Sequence, residues 1–316
     1  MNLGADHPCF AGFDPGPLLA VADLGLLLDT DVPWVPSVTP ERPETRWIQV
    51  DLDAAKRDLP LWNFPADLRV QGDCATVLRQ VLEAVRALAD DAWRARVADR
   101  IAGWEPERQA RARRLAAAAA EPGAPDAIAT PFLMAALDRQ LAPDDILLNE
   151  AIRNGGVVQD HVARTRPGTY IGFAGGGLGF SGGMALGAKL ARPERRVVQV
   201  VGDGSFHFSA PDSVYACAQM HGLPIFTLVL DNRGWSAVKE ATRRVYPRGV
   251  AVEDGRFLAR LDTGGGERRF EDVARAFGAH GERVTRPEEV EGAIRRCLDA
   301  VEGGRSAVLT ARVTPL

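Results

Sequence analysis

Two apolar runs in this chain each stop on an oxygen-bearing side chain, and that pairing constrains the fold more than any other feature. Arg196-Val197-Val198-Gln199-Val200-Val201 runs into Gly202-Asp203-Gly204-Ser205, and Ile225-Phe226-Thr227-Leu228-Val229-Leu230 runs into Asp231-Asn232. Asn232 lies 29 positions after Asp203, so two neighbouring strands would bring both tips to the carboxyl edge of one sheet, where open α/β folds bind ligands. A carboxylate, an amide oxygen, a backbone carbonyl, water and two phosphate oxygens suit an octahedral Mg²⁺. Gly204 lets the main chain approach a phosphate closely, and the segment 209–220 reads as a helix whose N-terminus faces that anion.

The rest of the chain extends this α/β pattern. At 316 residues and 46% hydrophobic content it has enough apolar mass for one large core or two modest ones. From residue 126 the units alternate: helix 131–140, strand 146–149, a glycine-rich segment, helix 182–190, strand 196–201, helix 209–220, strand 225–230, helices 270–277 and 287–301, and strand 307–313, with a further short strand at 280–284. Such alternation predicts a parallel sheet flanked by helices. Before it, a short helix at 17–22 and strands at 24–28, 47–53 and 67–70 supply too few strands for a complete doubly wound domain, since a parallel sheet needs cover on both faces. Residues 76–125, an amphipathic helix and then a charged, alanine-rich one ending at Glu121-Pro122-Gly123-Ala124-Pro125, read as a helical linker. The expected organisation is a partial central α/β domain over 1–75, the linker over 76–125, and the ligand-binding domain over 126–316. The polar stretch 239–269, with Gly264-Gly265-Gly266, reads either as a mobile lid or as an exposed insertion.

Several classes are excluded. No apolar run approaches bilayer length and no signal-peptide pattern is present, so a cytoplasmic location with no membrane partner is expected. A formal net charge of -4 offers no basic field for nucleic acid. Cys9, Cys74, Cys217 and Cys297 are far apart and read as isolated thiols, without the spacing of a zinc site or a disulfide framework.

Gly202-Asp203-Gly204 followed by Asp231-Asn232, with Gly175-Gly176-Gly177-Leu178-Gly179-Phe180 upstream, resembles the motif set of thiamine-diphosphate enzymes of the acetolactate synthase, benzoylformate decarboxylase and oxalyl-CoA decarboxylase type. The aspartate-to-asparagine spacing is about two residues longer than the commonest family pattern. The resemblance implies thiamine diphosphate and Mg²⁺ as cofactors. Asp203, Asn232 and the carbonyl of Gly234 would hold the metal, Gly204 and Ser205 would donate to the diphosphate, the Gly176 carbonyl would accept from the aminopyrimidine, and Leu178 would wedge between the cofactor's rings. It also identifies residues 17–77 with the second half of the family's central domain. The glutamate that activates the pyrimidine belongs, in this family, to an N-terminal pyrimidine-binding domain that is not recognisable here, and no catalytic residue is nominated.

The function implied is the diphosphate-binding half of a 2-oxo acid decarboxylase or carboligase, a lyase or transferase. It would work as a homo-oligomer or with a pyrimidine-domain partner chain. The alternatives are a non-catalytic cofactor-binding or truncated protein and, because Gly177-Leu178-Gly179-Phe180-Ser181-Gly182 fits G-x-G-x-x-G with an acid about 20 residues on, a dinucleotide-binding oxidoreductase. Further candidates carry two readings each: Glu150 as a cofactor-facing or an ordinary strand-end carboxylate, His161 as an acid-base or a surface residue, His207 as a diphosphate contact or a helix-entry residue, and Trp235 as pocket wall or core. Asp231 reads as a support for the metal loop.

Overall fold

A computed structural model of the chain describes residues 3–59, 64, 66–172, 177–255 and 268–315. Contacts divide it into two compact units, one of residues 11–106 and one of the N-terminal residues to Phe10 together with 107 onward. Among the described residues no helix is long and apolar enough to cross a membrane.

The smaller unit begins with α1 (Gly16–Leu19) and builds a three-stranded parallel sheet from β1 (Leu24–Leu28), β2 (Arg46–Asp51) and β3 (Leu68–Gln71), in that spatial order. Its core is small and aromatic. Trp34 packs 4.7 Å from Trp47 and 5.2 Å from Phe64, centroid to centroid, with Leu19 completing the cluster. Trp47 lies directly across Gly25 on the neighbouring strand, filling the space a Cβ there would need. Nearby, Lys56 is buried between Asp51 at 2.6 Å and Asp31 at 2.7 Å. The helix α2 (Cys74–Leu88) starts on an Asp73 cap, whose carboxylate accepts from the Thr76 N–H, as N-caps do. Yet none of its residues is buried, and Leu78, Val81, Leu82 and Leu88 stay exposed.

The long helix α3 (Asp91–Ala120) ends at the expected Glu121–Pro125 break, followed by the two-residue pair β4 (Gly123–Ala124) and β5 (Ala127–Ile128). The larger unit then alternates: α4 (Thr130–Asp138), β6 (Ile146–Glu150), α5 (Gly155–His161), β7 (Tyr170–Ile171), α6 (Phe180–Ala191), β8 (Val197–Gly202), α7 (Asp203–Phe208), α8 (Pro211–His221), β9 (Phe226–Asp231), α9 (Ser236–Val245), α10 (Val250–Glu253), α11 (Phe270–Arg275), β10 (His280–Val284), a 3₁₀ turn at Pro287–Glu289, α12 (Val290–Glu302) and β11 (Ala307–Arg312). Among the described residues six of its strands form one parallel sheet, ordered β10-β11-β9-β8-β6-β7.

The strands are apolar almost throughout because both faces are covered. Leu147, Val198, Val200, Leu228 and Leu309 point to a cluster with α4, α5 and α12, while Leu148, Val201, Val229 and Val308 point to one with α6, α8 and α11. The expected α/β architecture with a parallel sheet flanked by helices is thus the observed one. The expected single helix over 209–220 is corrected. The chain is already helical from Asp203, and Ala210, held at φ 49 before Pro211, separates α7 from α8. A residue preceding proline is pushed out of the right-handed helical region, so the break is local. The stretch 239–269 begins in ordered helix, α9 and α10, while residues 256–267, with Gly264 to Gly266, lie outside the described residues.

Replacing Gly25 by alanine forces Trp47 off β1. The expected cost is about 1–3 kcal/mol, the usual range for overpacking a filled core, measured as an earlier urea midpoint with altered tryptophan emission.

Candidate functional site at the carboxyl edge of the sheet

From β6 the chain moves toward one edge of the sheet, to β7, and from β8 it moves toward the other, to β9. The crevice outside such a reversal is the usual ligand position in open α/β folds. Register aligns the tips there: Glu150 pairs with Val201, Gly202 with Leu230, and Asp231 with Arg312.

Glu150 is fully buried, and its role is to hold the glycine-rich turn. Its side chain accepts from the backbone N–H of Gly179 and, at 2.9 Å, from that of Ser181, capping α6. Its own carbonyl accepts the Ser205 hydroxyl at 3.1 Å. Gly179 has φ 93, and a Cβ there would strike the Phe208 carbonyl at the end of α7, so only glycine fits. Leu178 sits just before it and is partly exposed at 37%. Gly176 lies outside the described residues.

Asp203 opens α7 and is 2% exposed. One carboxylate oxygen accepts from the Gly204 N–H at 3.0 Å, and the other is buried with no hydrogen-bond partner among the described residues. Burial, followed by the neighbouring Asp231 carboxylate, pushes its carboxyl up to about 7. Over Gly204 lies the Trp235 ring, 2.5 Å from where a Cβ would stand, and Phe208 packs on that ring at 5.5 Å. Trp235 is therefore a wall of the site and also its packing.

Beyond β9 the turn folds on itself. The Asn232 amide oxygen accepts from the Gly234 N–H at 3.1 Å, Asp231 accepts from the Arg233 N–H at 3.1 Å, and Arg233 takes the left-handed conformation with φ 65. Asp231 faces arginines, with Arg312 at 3.3 Å and Arg283 at 3.8 Å. Arg283 is gripped in turn by buried Glu271 at 3.1 Å, which also accepts from Thr310 at 2.8 Å. These arginines went unnoticed in the sequence; an arginine closing an apolar strand, as in Ala307–Arg312, is the signal that would have found them.

The two histidines separate. His207 lies in α7 beside the site. Its Nε2 meets an Arg268 guanidinium nitrogen at 2.7 Å, and burial, then that cation, lowers its pKa. His161 ends α5, where burial lowers its pKa and its charged neighbours are Asp160 and Arg111, not the carboxyl-edge group. The structure places Asp203, Gly204 and Ser205 at the end of β8 and Asn232 and Gly234 at the end of the adjacent β9, while Leu178 precedes Gly179, whose N–H is held by Glu150 at the end of β6.

The family model of the thiamine pyrophosphate enzyme C-terminal TPP binding domain matches residues 154–311, half of the chain. The chain belongs to this family. The dinucleotide alternative falls with that membership. Among similar proteins, the acetolactate synthase isozyme 2 large subunit of Escherichia coli is 29% identical over 180 residues, covering 55% of this chain and 30% of that protein. Benzoylformate decarboxylase of Pseudomonas aeruginosa is 32% identical over 161 residues, covering 51% and 28%. The solved Rhodococcus jostii thiamine diphosphate-dependent 4-hydroxybenzoylformate decarboxylase superposes with a TM-score of 0.72 at 20% identity, covering 98% of this chain and 54% of that one, a likeness of fold. This chain accordingly spans about a third or less of the curated relatives' length and about half of the structural neighbour's.

A carboxyl raised from 3.8 to about 7 costs the folded state stability as pH rises through that window. Below the unfolded value both states are protonated and nothing is lost, and above the folded value the full penalty, up to roughly 4 kcal/mol, is present. Asp203→Asn, measured by thermal unfolding without divalent cation, is therefore expected to melt above the parent chain near pH 8 and level with it by about pH 4. Equal melting temperatures across that range would contradict the buried-charge assignment.

Proposed function

We propose that this chain binds thiamine diphosphate with Mg²⁺ at the β8 and β9 tips and serves as the diphosphate-binding half of a 2-oxo acid decarboxylase or carboligase. The single observation carrying this reading is the buried Asp203 oxygen that has no hydrogen-bond partner among the described residues, set on the strand beside the one that ends in Asn232. An uncompensated carboxylate in such a place is costly. A hard dication bound by oxygen ligands removes the cost, and the neighbouring amide and backbone oxygens match its chemistry.

The chain's own residues have definable tasks. Asp203, the Asn232 amide oxygen and the Gly234 carbonyl would hold the metal. The N–H groups of Gly204 and Ser205, in the first turn of α7 with its positive dipole end, would donate to the diphosphate, the Gly204 N–H giving up its bond to Asp203 as the metal takes that carboxylate. The Ser205 hydroxyl is already committed to Glu150, which leaves its N–H as the donor. Leu178, partly exposed beside the glycine turn, would press on the cofactor's rings, with Gly176 taking the aminopyrimidine by the family resemblance. The Trp235 ring covers Gly204 on one side, with Phe208 packed on that ring. When bound, thiamine diphosphate supplies the nucleophile and electron sink for cleaving the bond next to a 2-oxo group.

No glutamate among the 316 residues stands in a motif for activating the pyrimidine, so this reading draws that residue from outside them, from a second polypeptide or from upstream sequence. The apolar face of α2, with Leu78, Val81, Leu82 and Leu88 exposed, supports an assembly, whether a homo-oligomer or a complex with a pyrimidine-domain chain. Patches of this kind mark association surfaces. We place that assembly in the cytoplasm.

Calorimetric titration with thiamine diphosphate should show Mg²⁺-dependent binding. Asp203→Ala and Asn232→Ala are expected to weaken it by roughly a hundredfold, the scale of a lost contact to a charged group, while far-ultraviolet circular dichroism stays unchanged. Full affinity in both variants would refute the site. Turnover of pyruvate only after adding a pyrimidine-domain chain would identify a split enzyme; binding without turnover in any mixture would leave a non-catalytic cofactor-binding protein.

A further inference from the structure

At the opposite end of the sheet, three residues that the diphosphate site does not use converge. His280 and Glu282 alternate on edge strand β10, so they share a face, and Cys297 comes from α12, packed against that face. One ligand atom from each lies within 4.8 Å of the other two. His280 Nε2 is 3.1 Å from a Glu282 oxygen. Cys297 is fully buried, and the other two are only partly exposed, at 27% and 20% for their side chains. In the sheet His280 pairs with the first residue of β11, Glu282 with the third and Asp231 with the last, so the cluster lies about 10–16 Å along the strands from the diphosphate edge at the usual rise per residue.

We propose that His280, Glu282 and Cys297 form a binding site for a transition-metal dication, Zn²⁺ in the first place, which clamps β10 to α12. The donor set is one imidazole, one carboxylate and one thiolate, a combination suited to tetrahedral Zn²⁺. Ligand atoms around such an ion stand roughly 3.3–3.7 Å apart at normal bond lengths, so small side-chain rotations complete the geometry. Three protein donors leave a fourth position for water or a small anion.

The surroundings fit this assignment. Burial works against the Glu282 carboxylate, but hydrogen bonds from Arg296 and His280 outweigh it and keep the group below its ordinary pKa, so an anionic ligand is ready. Arg296 reaches both carboxylate oxygens, with Nε at 3.2 Å and 3.1 Å. It can keep one of them as an outer partner while the metal takes the other, the arrangement that orients ligating carboxylates. Burial first, and Glu282 second, push the Cys297 thiol far up; it is a thiol until a metal displaces its proton. Binding therefore forms one sulfur–metal bond, breaks one S–H bond and releases one proton to solvent. Sequence spacing could not disclose the site, because the lone cysteine meets its partners only through the packing of a helix on an edge strand.

Co²⁺ added to the metal-free full chain tests the proposal. Expected are a near-ultraviolet thiolate-to-cobalt charge-transfer band, intense visible bands of tetrahedral geometry, about one proton released per ion, and loss of the bands on adding Zn²⁺. Cys297→Ser should abolish the charge-transfer band. Because that position is buried, His280→Ala, on a partly exposed edge-strand residue, serves as the second variant; it should bind Co²⁺ at least about tenfold more weakly, since even an outer-sphere partner contributes that much. Asp203→Ala should leave the spectrum unchanged, which separates this site from the diphosphate site. Absence of the band in the parent chain, its survival in Cys297→Ser, or undiminished affinity in His280→Ala would each overturn the proposal.

Discussion

The carboxyl edge of the larger unit depends on what Glu150 holds. A buried carboxylate without a counter-ion is unfavourable unless hydrogen bonds replace its water, and Glu150 meets that requirement with the N–H groups of Gly179 and Ser181, while its own carbonyl takes the Ser205 hydroxyl. One residue therefore ties the end of β6 to the glycine turn before α6 and to the first turn of α7. The helix N-terminus supplies donors that have no intrahelical partners, so the acid and the turn satisfy each other. Once Gly179 is fixed, its α-carbon rests on the Phe208 carbonyl, and α7 can approach only along one line. The positions of Leu178 and Asp203 follow from that single contact set.

Charge explains the division of labour between the two aspartates. Asp231 and Asp203 end neighbouring strands and repel each other. The sheet resolves the conflict unequally: Arg312 and Arg283 surround Asp231 from the β11 and β10 side, whereas Asp203 has backbone N–H groups and an oxygen left over. Asp231 thereby becomes a support that braces the Asn232 turn through Arg233 N–H, and Asp203 becomes the group that a dication would satisfy. Arg268 acts on Asp203 only as the weakest of its influences; had Arg312 and Arg283 paired with Asp203 directly, the site would carry its own counter-ion and have little use for a metal.

Much of this was legible before the structure. The strands around Asp203 and Asn232 announced themselves because burial on both faces makes their residues uniformly apolar, and the small unit's strands at Leu24–Leu28, Arg46–Asp51 and Leu68–Gln71 fell close to where the sequence indicated them. Features that escaped depend on tertiary contacts. Asp203-Gly204-Ser205-Phe206-His207-Phe208 has no helical periodicity to display over so few residues, and its helix exists because Ser205 and Phe206 are pinned from below. Glu150 looked like any acid at a strand end until the glycine turn folded over it. Gly204 was explained by phosphate approach alone, although the Trp235 ring already occupies the space of its missing side chain.

The same contacts bear on why a glycine-rich segment followed by an acid can be read two ways in sequence. A ribose-binding acid at the tip of the second strand must present its carboxylate outward, to hydroxyls lying across the sheet edge. Here the helix begins on the acid itself: Gly202 is the N-cap, Asp203 the first residue of α7, and the carboxylate turns back onto the Gly204 N–H beneath an indole ring. Turned inward and 2% exposed, it does not face outward toward a sugar; in the proposed reading it would meet a small cation shared with the next strand. The flanking glycines make that inward turn possible, because a side chain at 204 would displace the ring that covers the site. Local backbone requirements and the choice of ligand are in this way one constraint.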